Sequence, residues 1–379
     1  MELLFYWSVF MTGYIYFGYP LAVYFLGKIR NKAITKNSFT PSVSLVIAAY
    51  NEFDCIETTL KNKIALQYPK DKLEIIVVSD GSTDGTDQIV KKFHEQGIRL
   101  IRQEIRSGKT AALNKAVIES HGEIIAFSDA NSLWDSDALL YLVENFADPG
   151  VGYVTGKMVY ANADGSITGD GCTAYMRYEN ILRKLETSVG SVVGVDGGID
   201  AVRKELFQPM NHDQLPDFVL PLKVVSQGFR VVYEQRALLK EVSLSQADEE
   251  YRMRIRVTLR AFWGLFDMWR LLFFSHSIAF SWQLWSHKVL RYLCFIFLIT
   301  AFISNAFLFR SNLLFSVAFG VQIAAYLSAV FSLFLEKRGK NFKFLYILHY
   351  FVLLNFASAH AFILFLLRQK KVIWTPRKG

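Results

Sequence analysis

Cysteine is scarce in this sequence, and its distribution excludes two classes of small, cross-linked fold. The three cysteines, Cys55, Cys172 and Cys294, are scattered along 379 residues, and none belongs to a Cys-x-x-Cys pair. This spacing is typical of neither a disulfide framework nor a structural zinc site. The cysteine content therefore fits a central domain that lies in a reducing cytoplasm.

Charged residues are also few, at 20% of the chain, whereas hydrophobic residues make up 52%. Soluble domains carry about 25% charged residues, so the composition indicates a membrane protein. The net charge of +8 comes in part from cations that flank apolar runs, such as Lys28, Arg30 and Lys32 after the first run and Lys288 and Arg291 at the start of the second. Because cations are typical of membrane surfaces, we expect membrane lipid as a partner and no nucleic acid.

Long apolar runs lie at both ends of the sequence. A bilayer span takes about 20 residues, and four runs approach or exceed that length: residues 3–26, 289–309, 313–335 and 344–367. A cleaved signal peptide would begin with basic residues, but this chain begins Met1-Glu2-Leu3, so a retained anchor is the better interpretation. The cations after the first run then predict a cytoplasmic central domain.

The division of the chain follows from these runs. Four full spans would place the basic tail outside, against the positive-inside rule, so the number of spans and the side of the C-terminus stay open. The Arg-rich and Trp/Phe-rich stretch before the later runs is typical of helices in the membrane interface. We predict a transmembrane anchor (1–27), a linker (28–40), an α/β domain (41–245), interfacial amphipathic helices (246–287), three apolar transmembrane segments (288–367) and a basic tail (368–379).

The central region alternates between strand-like and helix-like segments. Runs rich in β-branched residues occupy 43–48, 73–79, 98–101 and 123–128, and helix-like stretches separate them. This alternation predicts a Rossmann-like, largely parallel sheet with helices on both faces. Ligands of such sheets bind at the carboxyl ends of the strands.

Acidic and glycine residues follow two of these strands. Asp80 comes directly after the second strand and before Gly81, where a ligand or an ordinary Asp-Gly turn is equally typical. Asp129 and Asn131 follow the fourth strand, where their oxygens suit a divalent cation or, alternatively, cap the next helix.

Two further charged residues stand at predicted helix starts. Gly108 and Lys109 precede a helix, an arrangement that favours a phosphate but also occurs in solvated basic loops. Asp217 precedes another helix, where it is either a general base or, by its position alone, more typically a helix cap.

Taken together, three ordered motifs give this region a family resemblance. They are PSVSLVIAAYNE at residues 41–52, VSDGSTDGT at 78–86 and GKTAALN at 108–114. Residues 41–260 resemble glycosyltransferase family 2, whose catalytic domain has the α/β GT-A fold. The flanking apolar helices resemble those of membrane-bound polysaccharide synthases.

The resemblance implies a role for each candidate residue. It implies a nucleoside pocket lined by Ala49, Tyr50 and Glu52, a nucleobase contact at Asp80, a diphosphate contact at Lys109 and a general base at Asp217. It also implies that Asp129, with Asn131, binds Mg²⁺ or Mn²⁺ beside the diphosphate, and that Arg256 contacts substrate.

The sequence departs from the family pattern at several of these positions. The second acid of the family's Asp-x-Asp motif is Asn131, and the residue before the predicted base is Pro216. The Gln-x-x-Arg-Trp motif of processive members retains only its arginine, Arg256, because Met253 and Val257 replace its Gln and Trp. Processive and single transfer therefore both stay open.

The function implied by the resemblance is an inverting hexosyl- or N-acetylhexosaminyl-type transfer at the cell membrane. A UDP-sugar would donate to a glycan or lipid-linked acceptor in the synthesis of an extracellular or cell-surface polysaccharide, with other biosynthesis or export subunits as candidate partners. The alternatives are a polyprenyl-phosphate glycosyltransferase and a non-catalytic membrane subunit on the same fold. The sugar, the acceptor and the oligomeric state do not follow from the sequence.

Overall fold

The computed structural model describes residues 1–161, 167–242, 247–273, 277–337 and 345–371. Most of the predicted basic tail, residues 372–379, lies outside this range. The strands are β1 (Val43–Ala49), β2 (Leu73–Asp80), β3 (Ile98–Gln103), β4 (Ile124–Asp129), β5 (Leu133–Trp134), β6 (Val151–Ala161), β7 (Ile199–Arg203) and β8 (Arg230–Val242).

The eight strands form one mixed sheet in the order β3-β2-β1-β4-β7-β6-β8-β5. The first four positions are parallel, as the sequence predicted, with Ala48 of β1 opposite Asp129 of β4 and Val78 of β2. The short strand β7 then runs antiparallel to both β4 and β6. This arrangement brings the carboxyl ends of β1, β2 and β4 to the same edge of the sheet.

Helices surround the sheet and extend into a bundle at the two ends of the chain. The helices of the first half are α1 (Glu2–Gly13), α2 (Tyr19–Arg30), α3 (Phe53–Ile64), α4 (Thr86–Lys91), α5 (Lys109–Ile118), α6 (Ala138–Glu144) and α7 (Ile167–Val189). Those of the second half are α8 (Pro216–Ser226), α9 (Ala247–Asp267), α10 (Arg270–Phe273), α11 (Ile278–Leu284), α12 (Leu290–Tyr292), α13 (Cys294–Leu308), α14 (Leu313–Lys337) and α15 (Tyr346–Leu366).

Strand β1 is the centre of the core, and all seven of its residues are buried. Successive side chains of a strand point to opposite faces of the sheet. Leu45 and Ile47 accordingly belong to one core cluster, with Ile56 of α3, and Val46 belongs to another, with Ala112 of α5. Both faces are therefore covered, which explains why the strand is a continuous apolar run rather than an alternating one.

Within the described ranges, three helical segments are long and apolar enough to cross a membrane: Glu2–Arg30, which contains α1 and α2, Leu313–Phe331 and Ile347–Leu366. The pair Ile278–Tyr292 and Cys294–Leu308 is bent by 55° and makes a fourth candidate if it counts as one span. This agrees with the apolar runs of the sequence and with membrane location.

A network of buried charged and polar groups connects the α/β domain with the membrane helices. Glu186 of α7 accepts a hydrogen bond of 2.5 Å from the hydroxyl of Tyr19 in α2. The same carboxylate lies 2.6 Å from Nδ1 of His287. Two turns earlier on α7, Glu179 pairs with Arg291. Buried carboxylates of this kind require partners because desolvation penalises their charge. These contacts therefore hold α7 against α2 and against the segment that contains His287 and Arg291.

Candidate active site

The candidate site lies at the carboxyl edge of the parallel strands. Asp80 ends β2 and Asp129 ends β4. Lys109 opens α5, directly after Gly108, whose φ of +93° is a conformation that favours glycine. The parallel topology thus brings together residues that are up to 49 positions apart in the sequence.

Asp80 fixes the loop that precedes α5. Its side chain is fully buried. One carboxylate oxygen accepts the backbone N–H of Ser107 at 2.7 Å, and the other accepts that of Gly108 at 2.8 Å. Charge-assisted hydrogen bonds of this kind are strong, so Asp80 positions Lys109 indirectly. The predicted contact between Asp80 and a nucleobase stays a prediction.

The predicted nucleoside pocket begins at the end of β1. Ala49 is buried in the core. The guanidinium carbon of Arg106 lies 3.6 Å from the ring centroid of Tyr50, which is cation–π distance. The side chains of Tyr50 and Arg106 are therefore stacked on each other at the place where a nucleobase is predicted.

Lys109 links the two acids that the sequence assigns to separate roles. Its Nζ lies 2.5 Å from Oδ1 of Asp129 and 3.8 Å from Oδ1 of Asp217. Burial alone would lower the pKa of Lys109, but these two carboxylates outweigh it and hold the pKa above its usual value. The ammonium therefore stays charged, as a group that binds phosphate must be.

Asp217 lies in the first turn of α8, but it does not cap the helix. Leu215 occupies the N-cap position, and Pro216 follows at the start of the helix, where its fixed φ and missing N–H are tolerated. The Asp217 side chain is 26% exposed. Burial raises the pKa of Asp217, while the nearby Lys109 ammonium lowers it and Asp129 raises it further. The net upward direction favours proton acceptance.

One cavity of about 260 Å³ joins most of the predicted site residues. Six of them line it: Glu52, Lys109, Asp129, Asn131, Asp217 and Arg256. Ala49, Tyr50 and Asp80 are not among its lining residues within the described part of the chain. The residues predicted for the diphosphate, the metal and the base thus line one cavity. Of the residues predicted to contact the nucleoside, only Glu52 lines it in the described part of the chain.

The oxygen atoms that line this cavity suit a divalent cation whose other ligands are water and substrate phosphate. Among the described residues no group of three His, Cys, Asp or Glu side chains is placed to hold a metal ion. Mg²⁺ is commonly bound through one or two protein oxygens together with water and substrate phosphate. Asp129, whose side chain is 32% exposed, and Asn131 both face the cavity and supply such oxygens.

Sequence reasoning missed three residues that lie near the predicted base, Asp217, or interact with its charge. Gly197 has a φ of +85°, and a Cβ at this position would lie 2.1 Å from Cγ of Asp217. Arg260 donates to the Thr110 hydroxyl at 3.2 Å and, by its charge, lowers the pKa of Asp217. Burial raises the pKa of Asp200 in β7 to about 8, and Asp217 adds to that rise. The paired glycines 197–198 were the only local signal of this arrangement.

Comparisons with known proteins identify the family and the fold. Residues 44–208 match the family model described as glycosyl transferase family 2. The chain is 30% identical over 313 residues to the poly-beta-1,6-N-acetyl-D-glucosamine synthase of Staphylococcus aureus (strain MSSA476), a match that covers 77% of this chain and 74% of that protein. It is 24% identical over 359 residues to the synthase of the same name from Staphylococcus epidermidis, covering 89% and 85% of the two chains.

A solved structure is similar over almost the whole chain. It is the mannosyltransferase PcManGT from Pyrobaculum calidifontis in complex with GDP-Man and Mn²⁺, with a TM-score of 0.76, 24% identity and coverage of 97% of this chain and 99% of that one. This likeness confirms the predicted GT-A fold. Together with the S. aureus relative and the matching catalytic region, it leads to one conclusion: the chain belongs to glycosyl transferase family 2.

Proposed function

We propose that the protein is an inverting membrane glycosyltransferase that moves a sugar from a nucleotide-diphosphate sugar, of the UDP class, to a glycan or lipid-linked acceptor in the synthesis of a cell-surface polysaccharide. One observation carries the proposal: a single cavity holds Lys109, Asp129 and Asp217 at the carboxyl edge of the sheet and continues to the membrane helices. The staphylococcal relatives, which are polysaccharide synthases by name, support the class of product.

The proposed chemistry is one displacement at the anomeric carbon. The acceptor hydroxyl gives its proton to the Asp217 carboxylate while its oxygen forms the new bond to the anomeric carbon. The bond from that carbon to the diphosphate oxygen breaks on the opposite side, and the nucleotide diphosphate leaves with the electron pair. Lys109 lies beside both acids and stabilises the leaving charge, which is the main electrostatic demand of the reaction.

Asp129 and Asn131 are the residues that would hold Mg²⁺ or Mn²⁺. When bound there, the cation supplies positive charge to the diphosphate. Calorimetric titration of UDP into the full-length protein, with and without Mn²⁺, tests this part of the proposal. We expect measurable binding that strengthens with Mn²⁺, and binding that is unchanged by the metal would remove Asn131 and Asp129 from that role.

The proposed orientation places the catalytic domain in the cytoplasm. The support is the exposed basic end of α2, where Lys28 and Arg30 lie in the last turn. A cysteine introduced in the linker, at Lys36, tests the orientation through labelling with an impermeant reagent in intact cells. We expect no labelling until the cells are opened.

The decisive test of the function is release of nucleotide diphosphate. Purified full-length protein is incubated with a panel of UDP-, GDP- and other nucleotide sugars, and released diphosphate is measured for each. We expect release with at least one UDP-sugar, increased by an acceptor extract from membranes. Release with GDP-sugars alone would overturn the UDP assignment, and no release from any sugar, with a folded protein that binds nucleotide, would favour a non-catalytic subunit.

A further inference from the structure

The candidate cavity has a second end that the proposed donor site does not use. At that end its wall is formed by Tyr16 of the N-terminal span and by Leu354, Asn355 and Ser358 of α15. Helix α15 also exposes Phe356 and Ile363, whose side chains are 65% and 55% accessible, on its outer surface. A molecule in this part of the cavity therefore lies one helix away from the lipid.

Cations and tyrosine rings cluster at this membrane end. The guanidinium carbons of Arg254 and Arg291 lie 4.9 Å and 5.0 Å from the ring centroid of Tyr175. Arg291 also lies 5.9 Å from the ring centroid of Tyr16. Together with Lys288, these four residues line the cavity, and we call the five the cationic cage.

Within the cage, Lys288 differs from the two arginines in its contacts with carboxylates. Arg254 is balanced by Glu250, at 2.7 Å, and Arg291 by Glu179. Lys288 makes no salt bridge with any carboxylate in the described part of the chain, and its Nζ lies against the backbone of Gly194, where a Cβ would approach it to 2.4 Å. Glu179 and Glu186 attract the Lys288 ammonium only at longer range. In the described part of the chain this ammonium donates no hydrogen bond, so its N–H groups are available to an anion in the cavity.

We propose that the cationic cage binds the phosphate group of a lipid-linked acceptor, with the lipid directed towards α15 and the acceptor hydroxyl towards Asp217. Three observations carry it: the Lys288 ammonium that lines the cavity without a direct carboxylate partner in the described part of the chain, the arginine pair around Tyr175 and the membrane helix that forms the cavity wall. Guanidinium and ammonium groups are the usual partners of phosphate oxygens. The inference deepens the proposed function, on which it rests, by assigning the acceptor class.

Binding of a simple lipid phosphate tests the cage without requiring transfer. Full-length protein in a non-ionic detergent is titrated with farnesyl phosphate, with farnesol and with inorganic phosphate, in the absence of nucleotide sugar, and binding is followed by thermophoresis. We expect farnesyl phosphate to bind at least about tenfold more tightly than either of the other two, since a charged hydrogen bond and the lipid tail both contribute. Equal binding of farnesol would overturn the anionic site, and equal binding of inorganic phosphate would assign the cage to free phosphate instead.

Variants locate the binding on the protein. Lys288→Met should weaken farnesyl phosphate by at least about tenfold, whereas Lys288→Arg, which keeps the charge, should bind nearly as the native protein does. Lys28→Met is the matched control, because Lys28 is an exposed cation at the end of a membrane helix and does not line the cavity. Unchanged binding by a folded Lys288→Met protein would overturn the proposal.

A second variant serves if Lys288→Met does not fold. Ser358→Leu narrows the cavity from the membrane side and removes no charge, so we expect it to weaken farnesyl phosphate and leave UDP binding intact. Normal farnesyl phosphate binding by Ser358→Leu would overturn the proposed route towards α15. These measurements are independent of the diphosphate-release assay, so failure here leaves the proposed function standing, and failure there leaves the cage standing as a lipid-phosphate site.

Discussion

The α-carbon of Gly197 lies against the carboxylate of Asp217, so closely that a Cβ on Gly197 would approach the two carboxylate oxygens to 2.3 Å and 2.5 Å. The φ of Gly197, +85°, is also one that side-chain-bearing residues rarely adopt. The rest of the loop is held from the opposite direction. Asp196 accepts two hydrogen bonds of 2.6 Å from the Arg183 guanidinium, which anchors the loop to α7. The proposed base, Asp217, therefore contacts on one side a backbone segment that Arg183 holds in place.

Gly197→Ala should displace Asp217 and reduce turnover by at least about 100-fold, the lower end of the range for loss of a general base. Steady-state diphosphate release measures it. The matched control is Gly228→Ala, because Gly228 has a similar φ of +89° but no atom within 4 Å of its would-be Cβ. That variant should lose about 1–2 kcal/mol of stability from backbone strain and keep its turnover. Equal turnover losses in both variants would mean that strain, not contact with Asp217, is responsible.

Asp217→Asn should reduce turnover by about 100- to 10,000-fold, because the amide keeps the size of the side chain but has no basicity. UDP affinity should change little, since the base acts on the acceptor. Asp135→Asn, at a surface acid paired with Lys240, is the control and should be active. Near-normal turnover by folded Asp217→Asn protein would remove Asp217 from the mechanism.

Lys109→Met should shift the acidic limb of the pH profile of kcat/KM to higher pH. Asp217 must be deprotonated to act as a base, so activity rises as the pH rises through its pKa. The Lys109 ammonium lowers that pKa, and its removal raises it. Lys115→Met, on the same helix but bonded to the Arg102 carbonyl, should leave the limb in place. A limb that moves to lower pH in Lys109→Met would contradict the assignment of Asp217 as the titrating base.

Glu52→Gln should stabilise the protein at pH 8 and have little effect near pH 4. Burial, offset in part by a hydrogen bond from Cys55, raises the pKa of Glu52 to about 7, and neighbouring carboxylates add to the rise. The unfolded side chain titrates near pH 4.3. Below about pH 4.3 the side chain is protonated in both the folded and the unfolded protein, so its burial carries no charge penalty. As the pH rises from there through about 7, the folded protein loses stability relative to the unfolded one.

The expected gain from Glu52→Gln at pH 8 is on the order of 3 kcal/mol, measured by thermal unfolding in detergent. Glu57→Gln, at an exposed position in α3, the helix that begins directly after Glu52, should show no such gain. A destabilised Glu52→Gln protein at pH 8 would show that the native carboxylate is stabilised by partners rather than penalised by burial.

Much of the parallel half of the fold was predictable because its signal is local. The runs at 43–48, 73–79, 98–101 and 123–128 fall within β1 to β4 or overlap them by all but one residue. A β-branched run buried on both faces depends little on its partners. The acids that follow such runs were predictable for the same reason, since topology alone brings the ends of parallel strands together.

The remainder depends on contacts between distant parts of the chain. The antiparallel insertion of β7 between β4 and β6 follows from tertiary packing, and residues 199–203 contain an aspartate and an arginine that obscure the strand pattern. Gly197 carries no sign of its role until its distance to Asp217 is known. In the sequence, Glu179 and Glu186 are typical of the polar face of an ordinary helix, because their partners Arg291 and His287 lie about 100 positions later.

The burial of Glu186 has a consequence for the order in which the chain matures during synthesis. Its bond to Tyr19 can form as soon as α7 has left the ribosome, but His287 follows 101 residues later. At roughly 5–20 residues per second, translation of that interval takes roughly 5–20 s. During this time the Glu186 carboxylate has its bonds to Tyr19 and to the backbone N–H of Val193 but lacks the one to His287. Truncation before residue 287 should therefore yield a chain that inserts its first helix yet remains a substrate for quality-control proteases.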